Sequence, residues 1–273
     1  MLEKARGSVK DGFLSETKIH PSAFVAKEAQ LGVGVVVGPN AVIGSQVRLH
    51  DGVKVGVGAT IEGKTTVGDN TQIYNFATIG TTPQDLKYQG ENTELIIGKD
   101  NCIREYVNIS LGTKGGGGIT RIGDNNLIMV YTHIAHDCQI GNHCIFANGV
   151  QIAGHVIVEN QVVFGGMSGG HQFCQFGELA MIGAGSIVVK DVPPYCLAQG
   201  DRAKISGLNK VGLRRAGFKG DKMAVFKEMF RILFKSQLTL DEACQKMKDQ
   251  FPCSEEQSKL VHFVSHSERG ICR

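Results

Sequence analysis

The sequence predicts a mainly β protein, a parallel β-helix followed by an α-helical tail, on three observations. An aliphatic residue recurs at every sixth position over most of the chain. Glycine and small residues follow it at fixed offsets. The period ends at Pro193-Pro194, beyond which apolar residues take helical spacing. A period of six is neither the 3.6-residue repeat of an α-helix nor the two-residue alternation of an ordinary strand. It is the pattern of stacked coils.

The series runs Ile19, Val25, Leu31, Val37, Ile43, Leu49, Val55, Ile61, Val67, Ile73 and Ile79, and resumes at Ile97, Ile103 and Ile109. After Gly115 to Gly118 it shifts by one residue and continues as Ile122, Ile128, Ile134, Ile140, Phe146, Ile152, Val158, Phe164, Gly170, Phe176, Ile182 and Val188, with Gly170 the one break in that run. Three hexads make a triangular coil with the aliphatic side chains inside. Gly follows the aliphatic residue in Leu31-Gly32, Val37-Gly38 and Ile43-Gly44, and Ala23, Ala29, Ala41, Ala59 and Ala77 sit four positions after it. These small residues are expected to permit the tight corners. Each buried Ile or Val contributes roughly 1.5–3 kcal/mol against roughly 1–2 kcal/mol of backbone entropy per ordered residue, so the coils are stable only as a cooperative array.

After Pro194 the chain reads helical from Gly207. Met223, Phe226, Phe230 and Leu233 lie close to helical spacing within Lys222 to Lys235, Thr239 with Glu242 forms a capping box, and Phe251-Pro252 precedes a last helix around Glu255 to His266. The expected domains are an N-terminal extension over 1–18, the β-helix over 19–195 and a helical domain over 196–273. With 273 residues and a net charge of +3, a general nucleic-acid binder is not expected. No apolar run approaches the ~18 residues of a membrane span, and the charged first 18 residues do not read as a secretory signal. Eight scattered cysteines without a CxxC pair are expected to be free thiols in a reducing cytosol. Trp is absent, so the core must be aliphatic.

Functional residues of a solenoid gather where the repeat is interrupted, and residues 81–94 and Gly112 to Thr120 are such excursions. His136, His155 and His171 fall in the third, sixth and ninth hexads after Ile122. They are therefore expected in a row about 10 Å long on one side of successive coils, at about 4.8 Å per coil. His133 is expected one coil edge away from His136. Such a row, beside Asp137 and Ala153-Gly154, can supply a general base near neutral pH. A three-histidine zinc site, as in carbonic anhydrases of similar fold, is the competing reading. The spacings of 19 and 16 residues, with no second His five residues after either, do not match it, and no metal is expected.

The segment Ile134-Ala135-His136-Asp137-Cys138 resembles the signature of the acyl-[acyl-carrier-protein]:UDP-N-acetylglucosamine O-acyltransferases, a branch of the hexapeptide-repeat transferases. Gln84-Asp85-Leu86-Lys87-Tyr88, Ile103-Arg104-Glu105, Ala153-Gly154-His155, His171-Gln172-Phe173-Cys174, Asp191-Val192-Pro193-Pro194-Tyr195 and Gly212-Leu213-Arg214-Arg215 follow in that family's order. The resemblance spans about residues 19–273. It implies a left-handed coil, which the strict six-residue period also fits, and direct transfer of an (R)-3-hydroxyacyl group from acyl carrier protein to the glucosamine 3-hydroxyl of UDP-N-acetylglucosamine, the first step of lipid A biosynthesis. His136 would be the base, Asp137 its polarising partner and the Gly154 N–H an oxyanion donor. His133, His155, His171, Gln172 and Gln84 would line the substrate sites. Asp85 and Lys87 would reach the nucleotide sugar, expected from a neighbouring subunit, and Arg215 would meet the diphosphate.

The resemblance also implies a homotrimer in the cytoplasm, with no cofactor and no covalent enzyme intermediate, which leaves Cys138 to the core. Lys219, Lys222, Lys227, Arg231 and Lys235 form a basic stripe on the tail, either a solvated helix face or a docking face for the acidic carrier. The chain departs from the family at Ser110-Leu111-Gly112-Thr113, where His-Arg-Gly-Thr is common, and at Gly170. Ala184 is expected to cap the acyl tunnel. The competing readings are a UDP-3-O-acylglucosamine N-acyltransferase, an acetyl-CoA-dependent sugar acetyltransferase and a non-catalytic β-helix scaffold.

Overall fold

The computed structural model describes residues 16–252 and 254–273. Most of the expected extension over 1–18, and Cys253, lie outside that range; Lys18 already belongs to the first strand. Short strands, mostly of two residues, wind into a left-handed parallel β-helix with three faces. Face A is an 11-stranded sheet beginning at Lys18–Ile19. Face B has 9 strands, from Phe24–Val25 to Ile187–Val188, and face C has 8, from Gln30–Leu31 to Gln175–Phe176.

The hexads set the register. On face B, Ile43 pairs with Ile61, Ile61 with Ile79, Ile79 with Ile109, Ile109 with Ile134 and Ile134 with Ile152. Each of these side chains points inward and is fully buried. Gly170 keeps the pattern while lacking the side chain. A Cβ there would lie 2.9 Å from Cζ of the buried Phe176 ring, which crosses the axis and fills the space.

The corners differ from the expectation. Ala41, Ala59 and Ala77 do not make the bends; they point inward and are fully buried. The bend lies one residue earlier, at a left-handed residue that is often not glycine: Asn40 (φ 54), Phe76 (φ 60), Tyr106 (φ 57), Tyr131 (φ 62), Asp137 (φ 61) and His155 (φ 62). That conformation costs roughly 1–2 kcal/mol for a residue with a Cβ. Contact with the same position of the next coil offsets the cost, as where Tyr106 stacks between Phe76 and Tyr131 at centroid distances of 5.4 and 5.0 Å. At some coils glycine is required just after the aliphatic residue. A Cβ on Gly98 would collide with Oδ1 of Asp124, the oxygen that accepts the Lys99 N–H at 2.9 Å.

Both excursions leave the helix at the corner between faces B and C. The first connects strand Thr78–Thr81 to strand Glu94–Ile97, and the second connects Asn108–Ser110 to Ile119–Ile122. His136 and Asp137 occupy the same corner one coil further on.

Regular strands continue past residue 195. Cys196–Gln199 joins face A beside Met181–Ile182, and Lys204–Leu208 pairs with it antiparallel. Four helices follow: α1 (Lys210–Arg215), α2 (Asp221–Lys235), α3 (Leu240–Gln250) and α4 (Glu255–Ser265). The Thr239–Glu242 capping box opens α3 as the sequence predicts. The tail buries its own cluster, including Leu213, Phe226, Met229, Leu233 and Met247, against Leu179 and Tyr195 of the last coils. Fully buried Asp191 locks this lid: its carboxylate accepts the Gln175 N–H at 2.8 Å and the Ser267 hydroxyl at 2.6 Å. The helical tail thus closes the open end of the solenoid, as terminal elements of repeat folds do.

Gly170→Val forces a side chain into the Phe176 ring and is expected to lower unfolding free energy by ~1–3 kcal/mol in chemical denaturation. Phe176→Leu should recover part of that loss in the double variant. Unchanged stability of Gly170→Val would show that the ring does not occupy this space.

Candidate active site

Each corner between faces B and C places three residues after its inward aliphatic residue: Ala135, His136 and Asp137 in one coil, Ala153, Gly154 and His155 in the next, and His171, Gln172 and Phe173 above. The three histidines lie on one side, as predicted, but not in one row. They take the second, third and first positions of successive corners, because their spacings of 19 and 16 residues straddle the coil repeat of 18. His136 therefore lies over Gly154, not over another imidazole. His155 meets the His136 ring edge-on at 5.0 Å and stacks on Phe173 at 4.5 Å. His133 is not one edge away. It sits on face B in strand His133–Ile134, beside the same groove.

The centre of the site is Asp137, whose side chain has 0% exposure. Oδ1 accepts the Thr113 backbone N–H at 2.8 Å, and Oδ2 accepts the Thr113 hydroxyl at 2.6 Å and Nδ1–H of His136 at 2.8 Å. The Asp137 N–H donates to Oγ1 of Thr120 at 2.8 Å. In the tautomer that donates Nδ1–H to Oδ2 of Asp137, Nε2 of His136 is left as the free base nitrogen. Adjacency in sequence does not prevent the contact, because the left-handed φ of Asp137 turns its carboxylate back under the preceding ring.

Gly154 is where the backbone must come close. A Cβ there would sit 2.6 Å from Cε1 and 2.8 Å from Nε2 of His136. Among the described residues its N–H has no hydrogen-bond acceptor. A donor so placed is suited to an oxyanion beside the base.

Around this pair runs a groove of about 470 Å³ lined by Gln84, His133, His136, Gly154, His171 and Gln172, with Gln151 and Ile187 on the same wall. His133 is oriented by Oδ1 of Asn108 at 2.7 Å, while the Asn108 amide donates to Oγ1 of Thr78 at 2.9 Å. Burial, then the neighbouring His136, holds the His133 imidazole below its ordinary range. Burial also lowers His155, against the pull of Asp137. Burial thus favours the uncharged form of both His133 and His155.

The loop with Gln84, Asp85 and Lys87 belongs to the same chain as the groove it borders: Gln84 lines it, and the charges of Asp85 and Lys87 are felt at His155. Arg215, exposed in the last turn of α1, and Ala184, exposed at a corner between faces A and B, are outside the groove lining of this chain. Lys219, Lys222, Lys227, Arg231 and Lys235 are all exposed. Two of them already have carboxylate partners, Lys222 with Glu256 at 2.7 Å and Arg231 with Glu228 at 2.7 Å.

Thr113 and Thr120 were not singled out from the sequence, although they lie within the excursion Gly112 to Thr120. His136, Asp137 and His155 bring possible metal-ligand atoms within 4.8 Å of one another. Both Asp137 oxygens are nevertheless engaged by Thr113 and His136, so the carboxylate is satisfied by protein donors. Cys138 is fully buried with Sγ on the Ala153 carbonyl, and burial pushes its thiol up to about 12, which suits core packing and not nucleophilic attack.

Gly154→Ala places a methyl against His136, and kcat is expected to fall by about 100-fold or more with little change in unfolding midpoint. A variant with normal turnover would remove the close approach from the account.

A family model described as UDP-N-acetylglucosamine O-acyltransferase, domain 2, matches residues 191–272, and one for bacterial transferase hexapeptide repeats matches residues 119–154. The chain is 49% identical over 253 residues to the acyl-[acyl-carrier-protein]–UDP-N-acetylglucosamine O-acyltransferase of Aliarcobacter butzleri and 47% identical over 256 residues to that of Xylella fastidiosa, in each case over 93% of this chain and 97% of the relative. The solved UDP-N-acetylglucosamine acyltransferase from Campylobacter jejuni superposes with a TM-score of 0.89 at 41% identity, covering 93% of this chain and 99% of that one. The chain belongs to the acyl-[acyl-carrier-protein]–UDP-N-acetylglucosamine O-acyltransferase family.

Proposed function

We propose that this protein transfers an (R)-3-hydroxyacyl group from acyl carrier protein to the glucosamine 3-hydroxyl of UDP-N-acetylglucosamine, opening lipid A biosynthesis in the cytoplasm. The observation that carries the reading is the His136–Asp137 pair over Gly154, at the wall of an open groove of about 470 Å³. Nε2 of His136 takes the proton of the 3-hydroxyl as its oxygen attacks the thioester carbonyl carbon. The negative charge that develops on the carbonyl oxygen is met by the Gly154 N–H, and that on Asp137 stabilises the imidazolium. The C–S bond then breaks, and the imidazolium returns the proton to the carrier thiolate. The products are the sugar ester and free carrier thiol, with no cofactor consumed and no acyl-enzyme formed.

His133, His155, His171, Gln172 and Gln84 position the sugar and the acyl chain, and Asp85 and Lys87 contact the nucleotide sugar. Arg215 meets the diphosphate from a neighbouring chain of a homotrimer, which accounts for its absence from the groove lining of its own chain. An exposed apolar ridge of Phe76, Tyr106, Tyr131 and Met167 supports such an assembly, because a ridge of this kind marks a contact surface. The basic residues Lys219, Lys222, Lys227, Arg231 and Lys235 face the acidic carrier. The existing partners of Lys222 and Arg231 do not bar this, because ion pairs at a solvated surface exchange readily with an incoming carboxylate. Ala184 limits the length of the acyl chain.

The test is acyl transfer from a series of (R)-3-hydroxyacyl carrier proteins to UDP-N-acetylglucosamine. Wild type should form product with one chain length preferred, and His136→Ala should lose about 10²–10⁴-fold in kcat. Ala184→Gly should move the preference to a longer chain. Turnover only with acetyl-CoA, or only with a 2-amino or 3-amino sugar, would overturn the substrate assignment.

A further inference from the structure

The excursion Gly112 to Thr120 folds back over the corner that holds Asp137 and meets that residue at three points, Thr113, Gly116 and Thr120. Thr113 gives both a backbone N–H and a hydroxyl to the carboxylate, one to each oxygen. Thr120 accepts the Asp137 N–H. Gly116 lies so close that a Cβ on it would overlap the carboxylate carbon and both oxygens. Thr113 is itself buried, and nothing of it reaches the groove lining. The excursion therefore touches the reaction centre only through Asp137.

We propose that Thr113 is a positioning residue for the acyl transfer: its hydroxyl fixes the Asp137 carboxylate as a pure acceptor and so holds His136 in the Nδ1–H form with Nε2 free. The inference rests on the reaction assigned above. The chemistry follows from donor counting. The Thr113 N–H can only donate, so Oδ1 is committed to it. At Oδ2 the Thr113 hydroxyl and Nδ1 of His136 converge at 2.6 and 2.8 Å. While the hydroxyl donates there, the carboxylate stays in the plane that presents Oδ2 to the imidazole. Without it, the carboxylate keeps one backbone donor and is free to rotate about its remaining bond, toward His155, whose Nδ1 already lies 3.8 Å from the same oxygen. The imidazole of His136 then loses its orientation, while the walls that bind sugar and acyl chain remain.

The role predicts a split between rate and binding. Thr113→Val keeps the shape and the backbone N–H and removes the hydroxyl. It should lower kcat by about 10- to 100-fold, the range for losing one charge-assisted hydrogen bond, and leave KM for both substrates within about threefold. Thr113→Ser, which restores the hydroxyl, should recover most of the rate. In the Asp137→Asn background Thr113→Val should cost little more, because residues acting through one another are not additive. Unfolding midpoints of each variant, measured alongside, separate loss of fold from loss of rate.

The proposal is overturned if Thr113→Val keeps full kcat, if its loss lies in KM, if Thr113→Ser fails to rescue a folded protein, or if the loss is as large in Asp137→Asn as in wild type. Wild type that transfers no acyl group from any carrier-bound donor would refute the reaction first, and this role with it.

Discussion

A carboxylate with no access to water needs donors from the protein, and Asp137 is such a carboxylate. Left without them, a buried charge costs several kcal/mol. The chain supplies three from two directions. One is the ring nitrogen of its own neighbour, His136, and the other two come from Thr113, on the excursion that leaves the coil below and returns across the corner. The second interruption of the repeat is thus explained as packing around that charge. Glycine at position 116 is needed because the turn runs against the carboxylate itself.

The solenoid makes the arrangement rigid. Parallel coils stack about 4.8 Å apart, and each inward aliphatic residue is fixed by the ones above and below it. A residue at the second corner position of one coil consequently lies over the second corner position of the next. That is how His136 comes to face Gly154, and why Gly154 has no room for a side chain. The base and the backbone donor are held by the same stack of buried Ile and Val residues, Ile134 and Ile152 among them. Sites built on rigid elements in this way need little reorganisation during the reaction.

The β-helix was legible in the sequence because nearly every sixth residue must turn an apolar side chain inward, a constraint that periodicity alone reveals. The tail helices were legible from the spacing of Met223, Phe226 and Leu233 and from the Thr239–Glu242 cap. The corners were misread: alanine marks the inward side of the bend, while the left-handed position accepts Phe76, Tyr106 or His155, since stacking between coils offsets the backbone cost. His136, Asp137 and Gly154 were visible as a motif. The staggering of the histidines followed from spacings of 19 and 16 around a coil of 18, and counting hexads alone concealed it. Thr113 could not be picked out by type, because a threonine in a glycine-rich loop carries no signal of its own. Its position inside an excursion at the catalytic corner was the available clue.

The account rests on His136 being neutral with its proton on Nδ1, facing Asp137. Nitrogen-15 NMR of histidine-labelled protein, at a pH where the imidazole is neutral, reads this directly. The account predicts that Nδ1 of His136 shows the protonated-nitrogen shift and Nε2 the unprotonated one in wild type, with that assignment lost in Asp137→Asn. A proton on Nε2 in the folded wild-type protein would leave no base facing the groove and would contradict the mechanism.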